Sequence, residues 1–271
     1  MGVTSGKFTM QSINRIKYMS NVDNSCIFVL EDIQEGTMTN EQETIYANGA
    51  NGVKIGSADR NKASRISAKN GAIVAGVMAA QVGSTVTTGT VTIPDYFDAQ
   101  TVATGAITLA YKPKGTTGAE IKKLYVVQND GTLGKGYVMD TTASATAFAY
   151  TSSTNKITVP TGITDGAKVV AIYDIEVANA QKITNAEDQF STEGRLIAEC
   201  YAKDICSGKS YEAVIYYPKA KAEGNFEFAF GSDFSVQDVT FEAMSGGCTS
   251  GSTKTLWDFF VYDEDDIVVN A

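Results

Sequence analysis

The sequence contains no histidine. That removes Ser-His-Asp and Cys-His catalysis, histidine metal sites and the usual proton shuttle near neutral pH. Most hydrolase readings go with them. Cysteine is sparse: Cys26, Cys200, Cys206 and Cys248 are too few and too scattered for a disulfide scaffold. The spacing of Cys200 and Cys206 does not match a zinc ribbon, and no second close pair completes four ligands. No apolar run is long enough to span a bilayer. The opening Met1-Gly2-Val3-Thr4-Ser5-Gly6-Lys7 lacks a charged segment leading into an apolar stretch, so no secretory signal is expected. Gly2 only loosely resembles a myristoylation start, because Gly6 stands where serine or threonine belongs. The expectation is a cytoplasmic start and no membrane partner.

What is present is uneven. Residues 186–271 hold 16 carboxylates against 6 basic side chains, whereas residues 1–84 hold 7 against 8 and residues 85–185 hold 8 against 8. The final third therefore carries the whole net charge of −9. A sheet with carboxylates on one face repels phosphate backbones, which argues against a nucleic-acid-binding module. Composition is that of a globular protein, with 43% hydrophobic and 20% charged residues. A chain of 271 residues can bury one large β domain or two modest ones.

Strand alternation recurs along the chain. Residues 43–84 read as paired strands, with Asn48-Gly49, Asn51-Gly52 and Asn70-Gly71 as turns. Within them Val53–Ile55 and Lys62–Ala68 alternate, and the small apolar run Ala72–Val82 is read as a strand because of Gly76 and its β-branched residues. Short strands follow at Val86–Ile93, Ala106–Tyr111, Ile121–Gln128, Lys135–Met139, Ala145–Tyr150, Lys156–Val159 and Lys168–Glu176. Turn signals at Lys112–Gly115, Asn129–Gly131, Thr161-Gly162 and Asp165-Gly166 separate them, as in an Ig-like β-sandwich.

The final third alternates most cleanly. Leu196, Ala198 and Cys200 oppose Arg195, Ile197, Glu199 and Tyr201; Tyr211, Ala213, Ile215 and Tyr217 oppose Glu212, Val214 and Tyr216. Phe226, Phe228 and Phe230 line up around Glu227, Val239, Phe241 and Ala243 oppose Asp238, Thr240 and Glu242, and Trp257, Phe259 and Val261 share a face. Each buried Phe or Trp contributes about 2–3 kcal/mol, so a packed core is expected here.

Candidate chemistry is thin. Gly208-Lys209-Ser210 suggests a phosphate loop, but Lys203 occupies the position of the required earlier glycine, so a hairpin turn is expected. Asp263-Glu264-Asp265-Asp266 could hold calcium yet lacks the spaced ligand loop with its central glycine; a solvated acidic end is expected. Cys200 and Cys206 could face each other across the hairpin as idle thiols, as a disulfide, or with Cys248 as part of a metal site. Nothing places two carboxylates across a cleft for glycoside cleavage. Tyr201 and Tyr216, if exposed, could form a carbohydrate-binding face. No catalytic, cofactor-binding or metal residue is assigned, and no cofactor is expected.

One longer stretch resembles a known class. Lys219-Ala-Lys-Ala-Glu-Gly-Asn-Phe-Glu-Phe-Ala-Phe-Gly-Ser-Asp-Phe234 leads through Val239-Thr-Phe-Glu-Ala-Met244 and a Gly/Cys-rich loop to Leu256-Trp-Asp-Phe-Phe-Val-Tyr-Asp-Glu-Asp265. That order is similar to the carboxyl end of tailed-phage major tail or tail-tube proteins, and Asn51-Gly52, Asp59–Lys62 and Ala80–Gly83 are similar to their opening. The resemblance covers residues 1–84 and about the last 80, with the middle as an insertion. It implies an all-β fold: a tube-like β-barrel or sandwich built from residues 1–84 and 186–271, with a β-sandwich inserted at 85–185. It also implies a non-enzymatic virion subunit, made in the host bacterial cytoplasm. Such subunits pair with themselves in hexameric rings stacked into a tube, with other virion proteins, and with DNA that passes without specific binding. An acidic wall suits such a channel, and Asp238, Thr240 and Glu242 are the expected channel-facing row. The alternatives are a capsid or head-decoration protein and a host-surface carbohydrate module.

Overall fold

The computed structural model describes residues 7–228, 230–231, 234–245 and 254–268. Strand makes up 58% of the chain and helix 6%, which fixes the all-β class. The chain forms two compact units, one from Met1–Val86 with Ile183–Ala271 and one from Thr87–Lys182.

The first unit opens with β1 (Phe8–Met19), β2 (Cys26–Leu30), β3 (Ile33–Asn48) and β4 (Lys54–Asn70), followed by α1 (Ala75–Val82). The second contains β5 (Thr87–Thr101), β6 (Ala106–Thr108), β7 (Pro113–Lys114), β8 (Ile121–Val127), β9 (Leu133–Asp140), β10 (Ala147–Thr151), β11 (Lys156–Thr158) and β12 (Lys168–Lys182). The first unit then resumes with β13 (Glu193–Asp204), β14 (Ser210–Ala222), β15 (Gln237–Ala243) and β16 (Asp258–Tyr262).

In the first unit the sheet order is β2-β1-β13-β14-β15-β4-β3. One edge of β14 is shared: Glu212–Tyr216 pairs with β16 and Ala220–Ala222 pairs with β15. The alternation read in the sequence sets the core. Leu196, Ala198, Ala213 and Tyr217 turn inward with Ile16, Leu30, Ile66 and Phe241. Tyr18 is its hub. Its ring packs 5.3 Å from Phe28 and 5.0 Å from Phe241, and its hydroxyl donates to the carbonyls of Thr192 (2.7 Å) and Ala220 (3.0 Å). The sheet curls into a half-barrel. Its two ends come close enough that a Cβ on Gly36 of β3 would lie 2.5 Å from Cδ1 of Ile13 on β1.

Two expectations are corrected in this unit. Ala72–Val82 is not a strand, since Ala75–Val82 is helical and buries Val77, Ala79, Ala80, Gln81 and Val82. Gly76 is needed there, because a Cβ would meet Cβ of Phe28 at 3.0 Å and the Ile27 carbonyl at 3.1 Å. Gly83 ends the helix at φ 73, where only glycine escapes the Phe190 backbone. Phe226, Phe228 and Phe230 do not form a strand. Phe226 and Phe228 pack on each other at 5.2 Å while Phe230 is exposed. β1, β2 and the first half of β3 carry no alternation signal that the sequence reading used.

The second unit is one eight-stranded sheet in the order β5-β12-β8-β9-β10-β11-β6, with β7 beside β12 and β10 pairing in parallel with β9. Leu124, Phe148, Ile157, Val169 and Tyr173 fill its core. β5 runs past Pro94 by a bulge with Asp95 at φ 53, its amide donating to Asp174. Lys112–Gly115, expected as a plain turn, includes β7, which pairs with Asp174 and Ile175 of β12.

Candidate assembly interface

β3 and β4 are 16 and 17 residues long. β4 pairs with β15 only from Arg65 to Asn70, so beyond Ser64 its sole partner is β3. Residues 39–62 therefore form a two-stranded ribbon, about 30 Å long at the usual strand rise, and nearly every residue on it is exposed. Arg60 pairs with Glu43 at 2.6 Å, and Thr44 donates to Asp59 at 2.7 Å. At the tip Ile45, Tyr46, Val53 and Ile55 stand exposed at 42%, 49%, 62% and 72%. Lys54 lies 3.5 Å over the Tyr46 ring. An isolated two-stranded ribbon is marginal in water, and apolar side chains at its end mark it as an interaction element.

A cleft of about 640 Å3 opens on the concave side of the same sheet, between β1 and β3. Met10, Ile13, Ile33, Met38, Trp257 and Phe259 line it. The Trp257 indole donates to Asn40 at 3.2 Å, which holds the ring at the cleft.

The opposite, convex face carries the charge. Val239 and Phe241 are buried, so Asp238, Thr240 and Glu242 point outward as the sequence indicated. That row is not bare. Asp238 lies opposite Lys69 and Glu242 opposite Arg65, and Arg65 reaches Glu242 at 3.4 Å and Glu223 at 3.8 Å, while Lys69 holds Glu35 at 2.9 Å. Basic residues of the first third thus meet carboxylates of the last third. The same holds on β1, where Arg15 pairs with Glu31 (2.9 Å) and Glu199 (3.3 Å) and Lys17 also pairs with Glu199. One carboxylate of this face without an ion pair lies on β14. Glu212 on β14 has no cationic partner among the described residues, and burial, then Glu264 and Glu199, push its carboxyl up. Sequence reading missed it because the charge excess shows in composition while its neutralisation depends on which strands pair.

The other singled-out residues have plain roles. Gly208-Lys209-Ser210 is a hairpin turn: Gly208 at φ 70 donates to the Asp204 carbonyl at 2.9 Å. Lys209 pairs with Asp263, whose carboxyl it holds below the usual range, and Asp263 also caps the short turn at Glu264–Asp266. Cys26, Cys200 and Cys206 are free thiols. Cys200 is buried, and burial, then Glu212, push its thiol up to about 11; Cys206 is exposed in the turn. Cys248 and the Met1–Gly6 start lie outside the described residues. No group of three metal-ligating side chains occurs among the described residues. Tyr201 and Tyr216 share the convex face but are only half-exposed, with Tyr201 opposite Glu212 and Tyr216 opposite Ile197, so they form no open aromatic platform. No described helix is long and apolar enough to cross a membrane.

No curated protein matches the chain. A family profile described as the YomU/Tube protein family matches residues 8–256, running through the middle unit as well as the two ends. An all-β chain with a projecting ribbon and this match over nearly its whole length belongs to the YomU/Tube protein family, a family of phage tube structural proteins.

Proposed function

We propose that the protein polymerises into hexameric rings stacked as a tail tube, and that the tube conducts the phage genome along an acidic wall. One observation carries the assembly reading: the ribbon at residues 39–62 extends beyond its sheet with apolar side chains exposed at its end. Unpaired strand edges and apolar tips are docking surfaces in proteins that self-associate. The wall is assigned to the convex face of the first unit's sheet. There acid-base pairs line the β15–β4 side, and Glu212 with Glu264 supplies unpaired negative potential on the β14–β16 side. A wall of this kind holds DNA off by repulsion, since a basic one would retain it through counterion release.

Negative-stain microscopy of the purified chain tests the assembly, with rings or tubes expected; monomers at every concentration would end the reading. The wall is tested with Glu212→Lys combined with Glu264→Lys. Tubes should still form but retain DNA at low salt, with retention fading as salt rises. Tubes of this variant that pass DNA as freely as the parent's would remove the conduit assignment and leave the tube.

A further inference from the structure

We propose that Asn51 is a site of spontaneous deamidation, the Asn-Gly pair that the fold leaves free to react while it holds the others. The proposal is independent of the ring reading. In an Asn-Gly pair the glycine amide nitrogen, deprotonated by hydroxide, attacks the carbonyl carbon of the asparagine side chain. The C–N bond to the side-chain amide breaks, ammonia leaves, and a five-membered succinimide forms. Water then opens the ring at either carbonyl. The net change is asparagine plus water to aspartate or isoaspartate plus ammonia. Glycine favours the attack because no side chain stands beside its nitrogen and its backbone turns freely. The chain holds such pairs at Asn48-Gly49, Asn51-Gly52 and Asn70-Gly71.

The fold separates the three. Asn70 is 1% exposed, its side-chain amide donates to the Ala72 carbonyl at 2.7 Å, and the Gly71 amide donates to the Asp32 carbonyl at 2.8 Å. A Cβ on Gly71 would lie 2.8 Å from Nε2 of Gln34. Asn48 is exposed, but the Val53 carbonyl holds the Gly49 amide at 2.7 Å, and a Cβ on Gly49 would meet Cγ2 of Ile55 at 2.9 Å. Both nitrogens must leave a short hydrogen bond in a crowded place before they can attack. Asn51 and Gly52 are both exposed and lie between β3 and β4 in the short turn Ala50–Gly52. The Gly52 amide reaches the Gly49 carbonyl at 3.2 Å, the longest of the three bonds, and a Cβ on Gly52 would meet nothing within 4 Å. The attack therefore needs only this turn to open. Hydroxide also meets no repelling charge there: residues 45–58 carry Lys54 and no carboxylate, in a chain of net charge −9. The product changes the ribbon. Aspartate at position 51 cancels the one cation of residues 45–58, and isoaspartate adds a backbone carbon to the turn that sets Asn48 opposite Lys54.

Peptide mapping by mass spectrometry tests this, on the full chain incubated in mildly alkaline buffer beside a sample unfolded in urea. In urea the three pairs should convert at similar rates, because the fold no longer holds any of them. In the folded chain Asn51 should convert about tenfold faster or more than Asn48 and Asn70, since those two react only through local opening. A second measurement uses Asn51→Gln, whose longer side chain cannot close the five-membered ring. Its intact mass should stay fixed under the folded conditions in which the parent's rises. Asn48 or Asn70 converting as fast as Asn51 in the folded chain overturns the proposal. So does an Asn51→Gln chain whose mass rises like the parent's, and so does a folded parent in which no pair converts while the urea sample does. None of these outcomes touches the ring reading.

Discussion

The two units handle their strands differently. The second keeps β5-β12-β8-β9-β10-β11-β6 in one sheet and gathers side chains of β6, β8, β10, β11 and β12 into one core. Its one deeply buried carboxylate, Asp98, is fully engaged, taking 2.7 Å hydrogen bonds from Tyr173, Gln100 and the Ala110 amide. The first unit is packed just as tightly around Tyr18, yet it sends a ribbon beyond its own sheet and leaves its concave cleft open. A sheet that closes its own core behaves as a finished module, whereas a half-barrel with a bare ribbon is one part of a larger structure. The second unit should therefore tolerate damage that the assembly does not notice, and the first should not.

The largest effect should come from the two tyrosine hubs. Tyr18→Ala removes a fully buried ring and should cost about 3–5 kcal/mol in denaturant unfolding, with loss of assembly. Tyr173→Ala should cost a similar amount, read as a lowered transition of the second unit, while light scattering still shows assembled protein. If Tyr173→Ala abolishes assembly as fully as Tyr18→Ala, the contrast between the units is wrong. A smaller effect is expected for Tyr18→Phe, which removes the hydroxyl's hydrogen bonds to the Thr192 and Ala220 carbonyls, at about 1 kcal/mol.

The contrast was only partly legible in the sequence. β13, β14 and β15 could be read because each buries one face against the core and shows the other to solvent, which writes a period of two into Leu196–Tyr201, Tyr211–Tyr217 and Asp238–Ala243. β3 could not be read through most of its length, because a ribbon exposed on both faces has no reason to alternate. Helix α1 was hidden for the opposite reason: it is buried nearly all round, so it too lacks a polar face. The Phe226–Phe230 run shows alternation without a sheet to receive it. The charge asymmetry could be read as a sum, but not its local neutralisation at Glu242, because Arg65 comes from a strand distant in sequence and adjacent in the sheet.

Smaller effects sharpen the picture of the first unit's edge. Lys209 holds the Asp263 carboxyl below the usual carboxylate range. Because the folded state depresses it, the stabilisation is present above the unfolded value of about 3.9 and lost as pH falls through the folded one. The protection factors of the β16 amides, corrected for intrinsic exchange, should therefore fall below about pH 4, and Asp263→Asn should show lowered protection at neutral pH already. Glu212 runs the other way. Its raised carboxyl weakens the fold as pH rises past the ordinary glutamate value, so Glu212→Gln should raise the melting temperature at pH 7 and make no difference near pH 4. Least of all is expected from Arg65→Ala, because its pairs with Glu242 and Glu223 are exposed and screened; the unfolding midpoint should not move measurably.

The most direct test of assembly through the first unit's ribbon is amide hydrogen exchange compared between monomer and assembled protein. Residues 39–62 should exchange fast in the monomer and become protected on assembly, while β8, β9 and β10 of the second unit keep the same protection in both states. Protection gained in β8–β10, with residues 39–62 exchanging unchanged, would contradict it.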